Sequence, residues 1–169
     1  MALPSPEDVS SLPGSVAEGT PWANGGNGMA CADDYNSARK EVLAASGQLV
    51  ESIASLGIAV GMAGFPPALA PLSASVNKNA EARQALEGVW GRLTQLGICF
   101  AISNDPNGIK MTQALMGASS SAISQLRQAD ATIAGAIALC SLALGPLALP
   151  AIEAALGQVK ATKDLVDGV

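Results

Sequence analysis

Few side chains in this sequence could perform chemistry, and those few are not spaced for it. The chain has no histidine, so it lacks the commonest general base and any Ser-His-Asp arrangement. Asp33 and Asp34 are adjacent, and on a helix they would point about 100° apart instead of facing one substrate. The glycine-rich stretch 25–28 lacks the Lys and Ser/Thr of a phosphate-binding loop. We therefore expect no enzymatic activity, no cofactor and no small-molecule substrate.

The three cysteines do not suggest a chemical site either. Cys31, Cys99 and Cys140 are far apart in the sequence, whereas zinc sites and disulfide frameworks use closely spaced cysteines. Cys99 has apolar neighbours, which should raise the pKa of its thiol and keep it inert. We expect all three cysteines to be small apolar fillers of helix interfaces, in a chain made in a reducing compartment and without a metal site.

The low content of charged residues is the most informative feature of the composition. Asp, Glu, Lys and Arg make up 14% of the chain and the net charge is −5, whereas ordinary soluble domains have roughly 25% charged residues. No run of Lys or Arg could bind a phosphate backbone, so we expect no nucleic-acid partner. Either Ser, Gln, Asn and Ala cover the surface, or neighbouring subunits or lipid bury part of it.

Prolines and glycines divide the chain into helical segments. Between the breaks, apolar residues recur at alternating three- and four-residue steps, which predicts α-helices that pack at shallow angles. The predicted helices cover about 30–63, 69–102, 109–144 and 147–167. The expected fold is all-α, with four long antiparallel helices forming two helical hairpins of a bundle or coiled coil. An irregular N-terminal arm covers 1–28, hairpin 1 covers 29–103 and hairpin 2 covers 104–169, the two hairpins packing as a single domain.

The spacing of large apolar residues also predicts which positions face the core. In the first helix these are Val42, Ser46, Leu49, Ile53, Leu56 and Val60. Trp90 falls on the equivalent line of the second helix and is expected in the core. Asp130 falls on the line of the third helix, where it either pairs with Arg83 or Lys163 of another helix or faces water.

The ends of the helices have recognisable capping chemistry. Asp33 and Asp34 are expected where the first helix begins, because acidic residues are favourable there. Asp105 followed by Pro106 predicts an N-cap for the third helix, with proline at its first position.

The two hairpins are predicted to be copies of one unit. Shifted by 80 residues without a gap, residues 24–89 lie over 104–169, and Pro66 then meets Pro146. Because the proline breaks coincide as well as the small residues, the chain is expected to contain an internal repeat.

Two long stretches around the first and third turns have no charge. One lies between Glu51 and Lys78, the other between Asp130 and Glu153. An up-and-down arrangement of helices would bring both turns to one end, and a large exposed apolar patch there would mark an interaction site. The expected tip residues are Ile53, Leu56, Ile58, Val60, Met62, Phe65, Ile133, Ile137, Leu139, Leu142, Leu144 and Leu147.

Three functions remain open for such a tip. The preferred one is a structural protein that forms a homo-oligomer (a filament, ring or shell) through its tips. The second is a membrane-active protein, such as a pore-former or translocator, although each uncharged arm has only about a dozen residues and about 20 are needed to span a bilayer. The third is a plain soluble interaction module whose arm covers the tip.

The N-terminal arm has no basic or apolar region of a Sec signal peptide. Localisation is therefore open between the cytoplasm and export by a non-Sec route. Trp22 is the residue expected to anchor the arm on the bundle or on a neighbouring subunit.

Overall fold

Four helices account for nearly all of the computed structural model, which describes residues 27–63 and 65–169. This described part is 92% helical and has no strand, so the predicted all-α fold is confirmed. The helices are α1 (Asn27–Gly61), α2 (Leu69–Ile102), α3 (Pro106–Ser141) and α4 (Gly145–Asp167), with a short 3-10 helix at Pro66–Ala68 before α2.

The helices form an antiparallel bundle. α1 packs on α2 and α4, and α3 packs on the same two helices, while the diagonal pair α1 and α3 barely touches. The turn after α1 and the turn at 142–144 therefore lie at one end, which we call the tip, and the 3-10 helix that follows α1 contacts α3 there. The link at 103–105, the start of α1 and the end of α4 lie at the other end, which we call the open end.

The buried residues of α1 follow a strict heptad in which large and small side chains alternate. The fully buried line is Tyr35, Ala38, Val42, Ala45, Leu49, Ser52, Leu56 and Ala59. The expected positions Ser46, Ile53 and Val60 are only half-buried, so every second predicted position is wrong by one residue. Small side chains let neighbouring helices approach closely at those points, and the larger residue one position further on covers the edge of the interface.

The same one-residue shift explains the wrong prediction for Trp90. Its neighbour Val89 is fully buried, whereas the indole of Trp90 is 38% exposed. Trp90 lies instead beside Ile123 in a shallow groove between α2 and α3. The tryptophan is therefore part of the surface and not of the core.

The capping prediction is right for α3 and wrong for α1. Asp105 Oδ1 accepts a hydrogen bond of 3.1 Å from the backbone N–H of Asn107, and Pro106 occupies the first position of α3. α1 begins at Asn27, so Asp33 and Asp34 lie beyond its first turn, exposed to solvent. Residues 27–32 contain no proline, so no residue there lacks the backbone N–H that a helix needs.

Gly108 permits the closest packing at the open end. A Cβ built on it would lie 2.2 Å from Cδ1 of Phe100, well inside normal contact. The ring of Phe100, fully buried at the end of α2, thus rests directly on the backbone of α3.

Candidate interaction surface

Each turn of the tip contains a residue in the left-handed conformation, as does the link at the open end, where Asn104 has φ 56°. Ala63 has φ 52° and Ala143 has φ 57°, both in the left-handed region that ends many helices. The N–H of Ala63 bonds to Val60 O at 2.9 Å and that of Ala143 to Cys140 O at 3.0 Å. These turns are 80 residues apart, the offset of the predicted repeat. The repeat itself stays a prediction.

Six of the twelve predicted tip residues expose large apolar side chains at this end. The exposed fractions are 55% for Ile58, 37% for Met62, 55% for Phe65, 69% for Leu142, 41% for Leu144 and 62% for Leu147. All six belong to the two uncharged stretches around the turns. The tip therefore presents a hydrophobic surface to which no ionisable side chain of those stretches contributes.

The other six predicted tip residues are not freely exposed. Leu56 and Ile133 are fully buried core residues, so their assignment to the tip surface is wrong. They face inward because they fall on the heptad line of their helices. Four more are partly buried and pack against the core, namely Ile53, Val60, Ile137 and Leu139. Trp22, the predicted arm anchor, lies outside the described residues.

A buried polar network crosses the bundle below the tip. Ser52 Oγ of α1 donates to Asn79 Oδ1 of α2 at 2.6 Å and lies 2.7 Å from Ser75 Oγ. Because Ser52 has one hydroxyl proton, Ser75 is the donor of that second bond. Asn79 Nδ2 then donates to Asp130 Oδ1 of α3 at 3.0 Å. The network joins three helices and satisfies polar groups that would be costly to bury alone.

Asp130 is the charged member of this network. Arg83 donates to Asp130 Oδ2 at 2.7 Å, and the two side chains are only 26% and 18% exposed. The prediction of a pair with Arg83 is confirmed, and the alternative that Asp130 faces water is wrong. This pair joins hairpin 1 to hairpin 2 and fixes the register of α2 against α3.

A disulfide bond closes the open end of hairpin 1. Cys31, near the start of α1, is bonded to Cys99, near the end of α2, with their Cα atoms 5.9 Å apart, a normal spacing. The prediction of three unpaired filler cysteines is therefore wrong for these two. One signal in the sequence could have found the pair. Both residues are 34 positions from Phe65, and residues equidistant from the turn face each other in an antiparallel hairpin.

Cys140 is the remaining thiol and lies at the tip end of α3. It is fully buried and unpaired, and burial raises the pKa of its thiol. For this residue the expectation of a small apolar filler is confirmed.

Other surface features of the described residues are shallow. No group of three or more potential metal-binding side chains was found among them. A cleft at the open end is lined by Asp34, Arg92, Gln95, Leu96 and Cys99.

The length and apolar composition of α1 are relevant to whether the chain could cross a membrane. Among the described residues, one helix segment, Cys31–Gly61, is long and apolar enough to cross a bilayer, and 33% of its most apolar window is buried in the bundle. The expectation that neither arm could span alone concerned only the uncharged residues, which in α1 begin after Glu51. The longer segment passes by length and composition, as the core helix of a soluble protein also does.

Comparison with known proteins gives no relative from which a function could be transferred. No protein-family model, curated protein or solved structure matches this chain.

Proposed function

We propose that this chain is a non-enzymatic structural subunit that assembles with copies of itself by burying its tip. The observation that carries the proposal is the set of six exposed large apolar side chains around the two turns. Water-exposed apolar patches of this kind are unfavourable and mark contact surfaces.

A second copy fits the tip better than a lipid surface does. Interfacial membrane segments usually carry Lys or Arg beside Trp or Tyr, which bind headgroups. The stretches 52–77 and 131–152 contain none of these four residues. A second tip is equally uncharged, so two copies can meet without burying an unpaired charge.

The expected strength of this contact is modest. Full burial of a large apolar side chain is worth about 1.5–3 kcal/mol, so a half-exposed one adds roughly 1 kcal/mol. Six from each of two copies give about 12 kcal/mol, against an association cost of about 4–15 kcal/mol. Tip pairs should therefore form at micromolar or higher concentrations, and a filament, ring or shell would need several such contacts together.

Sedimentation velocity measures the association of the wild-type chain and of a matched pair of variants. Protein concentrations of roughly 10 to 500 µM cover the range in which tip pairs should form. Ile58 at the tip is 55% exposed, and Ile98 near the open end is 58% exposed. Ile58→Glu should abolish concentration-dependent association, because the contact would bury an unpaired carboxylate. Ile98→Glu adds the same charge at equal exposure and should leave association unchanged.

Two results would contradict the tip contact. One is a wild-type chain that stays a 16.8 kDa monomer throughout that range. The other is an equal loss of association in both variants, which would show that added charge, and not the tip, matters.

The alternative function is insertion of the tip into a membrane, and the apolar character of α1 favours it. Dye release from liposomes of neutral and of anionic lipid measures this directly. Leakage caused by the wild type and by Ile98→Glu, but not by Ile58→Glu, would support insertion. If there is neither leakage nor association, the chain is a plain soluble bundle.

A further inference from the structure

We infer that the Cys31–Cys99 bond is a site of thiol–disulfide exchange, which small thiols enter by attacking Cys99. The inference concerns the open end and does not depend on the function proposed for the tip. Three observations support it, namely the unequal burial of the two cysteine residues, a cleft lined by one of them and the charges that line this cleft.

The two cysteines differ in accessibility. Cys31 is fully buried, whereas Cys99 is partly exposed and lines the cleft with Asp34, Arg92 and Gln95. Exchange requires a thiolate to approach one sulfur in line with the S–S bond, so access decides which sulfur is attacked. The cleft gives that access at Cys99.

Reduction of the bond takes two successive attacks by external thiols. An external thiolate forms a bond to Cys99 Sγ, the Cys31–Cys99 bond breaks, and Cys31 leaves as a thiolate that takes up a proton from water. Cys31 Sγ lies 3.8 Å from the hydroxyl of Ser103, a polar neighbour for the departing sulfur. A second external thiol then releases Cys99 and forms an external disulfide, so the protein gains two electrons and two protons.

The charges of the cleft favour cationic thiols. The positive charge of Arg92 is balanced by its ion pair with Glu41. The carboxylate of Asp34 therefore gives the cleft a negative charge that Arg92 does not neutralise. One unit charge about 6 Å away in water changes a rate by roughly threefold. After correction for the thiolate fraction, cysteamine should therefore react faster than 2-mercaptoethanesulfonate, and Asp34→Asn should remove most of this difference.

Exchange should loosen the open end and leave the tip intact. Without the bond, the first turns of α1 are held to the bundle only by noncovalent contacts, and just beyond them Arg39 Nη2 donates to Val169 O at 2.7 Å. Amide hydrogens over 31–38 should lose protection, whereas those over 53–60 should keep it.

Peptide mapping after partial reaction with cysteamine tests the inference on the wild-type chain. The expected product carries cysteamine on Cys99 and a free thiol on Cys31. Buried Cys140 is an internal control, because it should be alkylated only when the whole bundle unfolds. In single variants, Cys99 in Cys31→Ser should react with Ellman's reagent at least about tenfold faster than Cys31 in Cys99→Ser, since access governs the rate.

Several outcomes would overturn the inference. These are cysteamine found on Cys31, equal rates in the two single variants, alkylation of Cys140 as fast as exchange, or an oxidised protein that contains three free thiols. If a single variant fails to fold by circular dichroism, the mapping of the wild-type chain still decides.

Discussion

Replacing Gly108 by alanine should destabilise the bundle although alanine is the better helix former. The new Cβ would lie 2.2, 2.5 and 2.6 Å from three atoms of the Phe100 ring, whereas carbon atoms normally approach to about 3.5–4.0 Å. The ring or the start of α3 must move by more than about 1 Å. Overpacking of this kind costs about 1–3 kcal/mol, and the helix propensity of alanine returns about 0.5–1 kcal/mol. We expect a net loss of about 1–2 kcal/mol.

Urea unfolding followed by circular dichroism at 222 nm measures this change, and Gly117→Ala is its control. Gly117 is in the same helix and has nothing within 4 Å of a Cβ, so this substitution should stabilise by about 0.5–1 kcal/mol. Adding Phe100→Leu to Gly108→Ala should recover roughly 1 kcal/mol relative to the sum of the two single changes. A Gly108→Ala chain as stable as the wild type would refute the close packing of ring and backbone.

Three further predictions concern the disulfide, the single tyrosine and the buried ion pair. Replacing Cys31 and Cys99 by serine should cost about 4 kcal/mol in urea unfolding because the bond closes a loop with a sequence separation of 68, and an unchanged midpoint would contradict this. Burial raises the pKa of Tyr35 to about 12 from 10.0, so the unfolded chain loses the phenol proton at a lower pH than the folded chain. The stability that the buried phenol contributes is therefore complete below pH 10 and is lost as the pH rises through 12. Absorbance at 295 nm of the folded and unfolded chain checks this, and equal titration midpoints would disprove it. Asp130→Ala should lower the free energy of unfolding by about 2–3 kcal/mol, which is below the usual range for buried pairs because this pair is partly exposed. Arg127 belongs to an exposed pair, so Arg127→Ala should lower it by less than about 1 kcal/mol. Equal losses in urea unfolding would show that Asp130 has no buried role.

The number of helices, their turns and the shared end of both turns could be predicted from periodicity and from proline. The exact core line could not, because prediction followed the three- and four-residue spacing of side chains and placed every second core position one residue too late. Ala45 and Ala59 are buried while Ser46 and Val60, the next residues, lie at the edge. An alanine looks the same in a sequence whether it faces a neighbouring helix or water, and the difference appears only when four helices pack together.

The disulfide was missed for a related reason. Cysteine spacing along a chain suggests pairing only when the loops are short, whereas Cys31 and Cys99 are brought together by the fold of a whole hairpin. The uncharged character of the tip could be read from the sequence because the absence of charge over a long stretch does not depend on register. The register of the helix still decides which tip residues are exposed, since Leu56 points inward and Ile58, two residues later, points to solvent.

Hairpin 1 is closed covalently at both ends, by its turn and by the bond between Cys31 and Cys99. If the two ends of the chain are pulled apart, tension passes through the sulfur atoms and bypasses residues 32–98. Among the described helices, hairpin 2 and the few helical residues outside the bond, 27–30 and 100–102, can then unravel, adding about 3.5 Å for each residue released. In an assembly under mechanical tension, α1 and α2 would keep their length, and α3 and α4 would unfold and lengthen first.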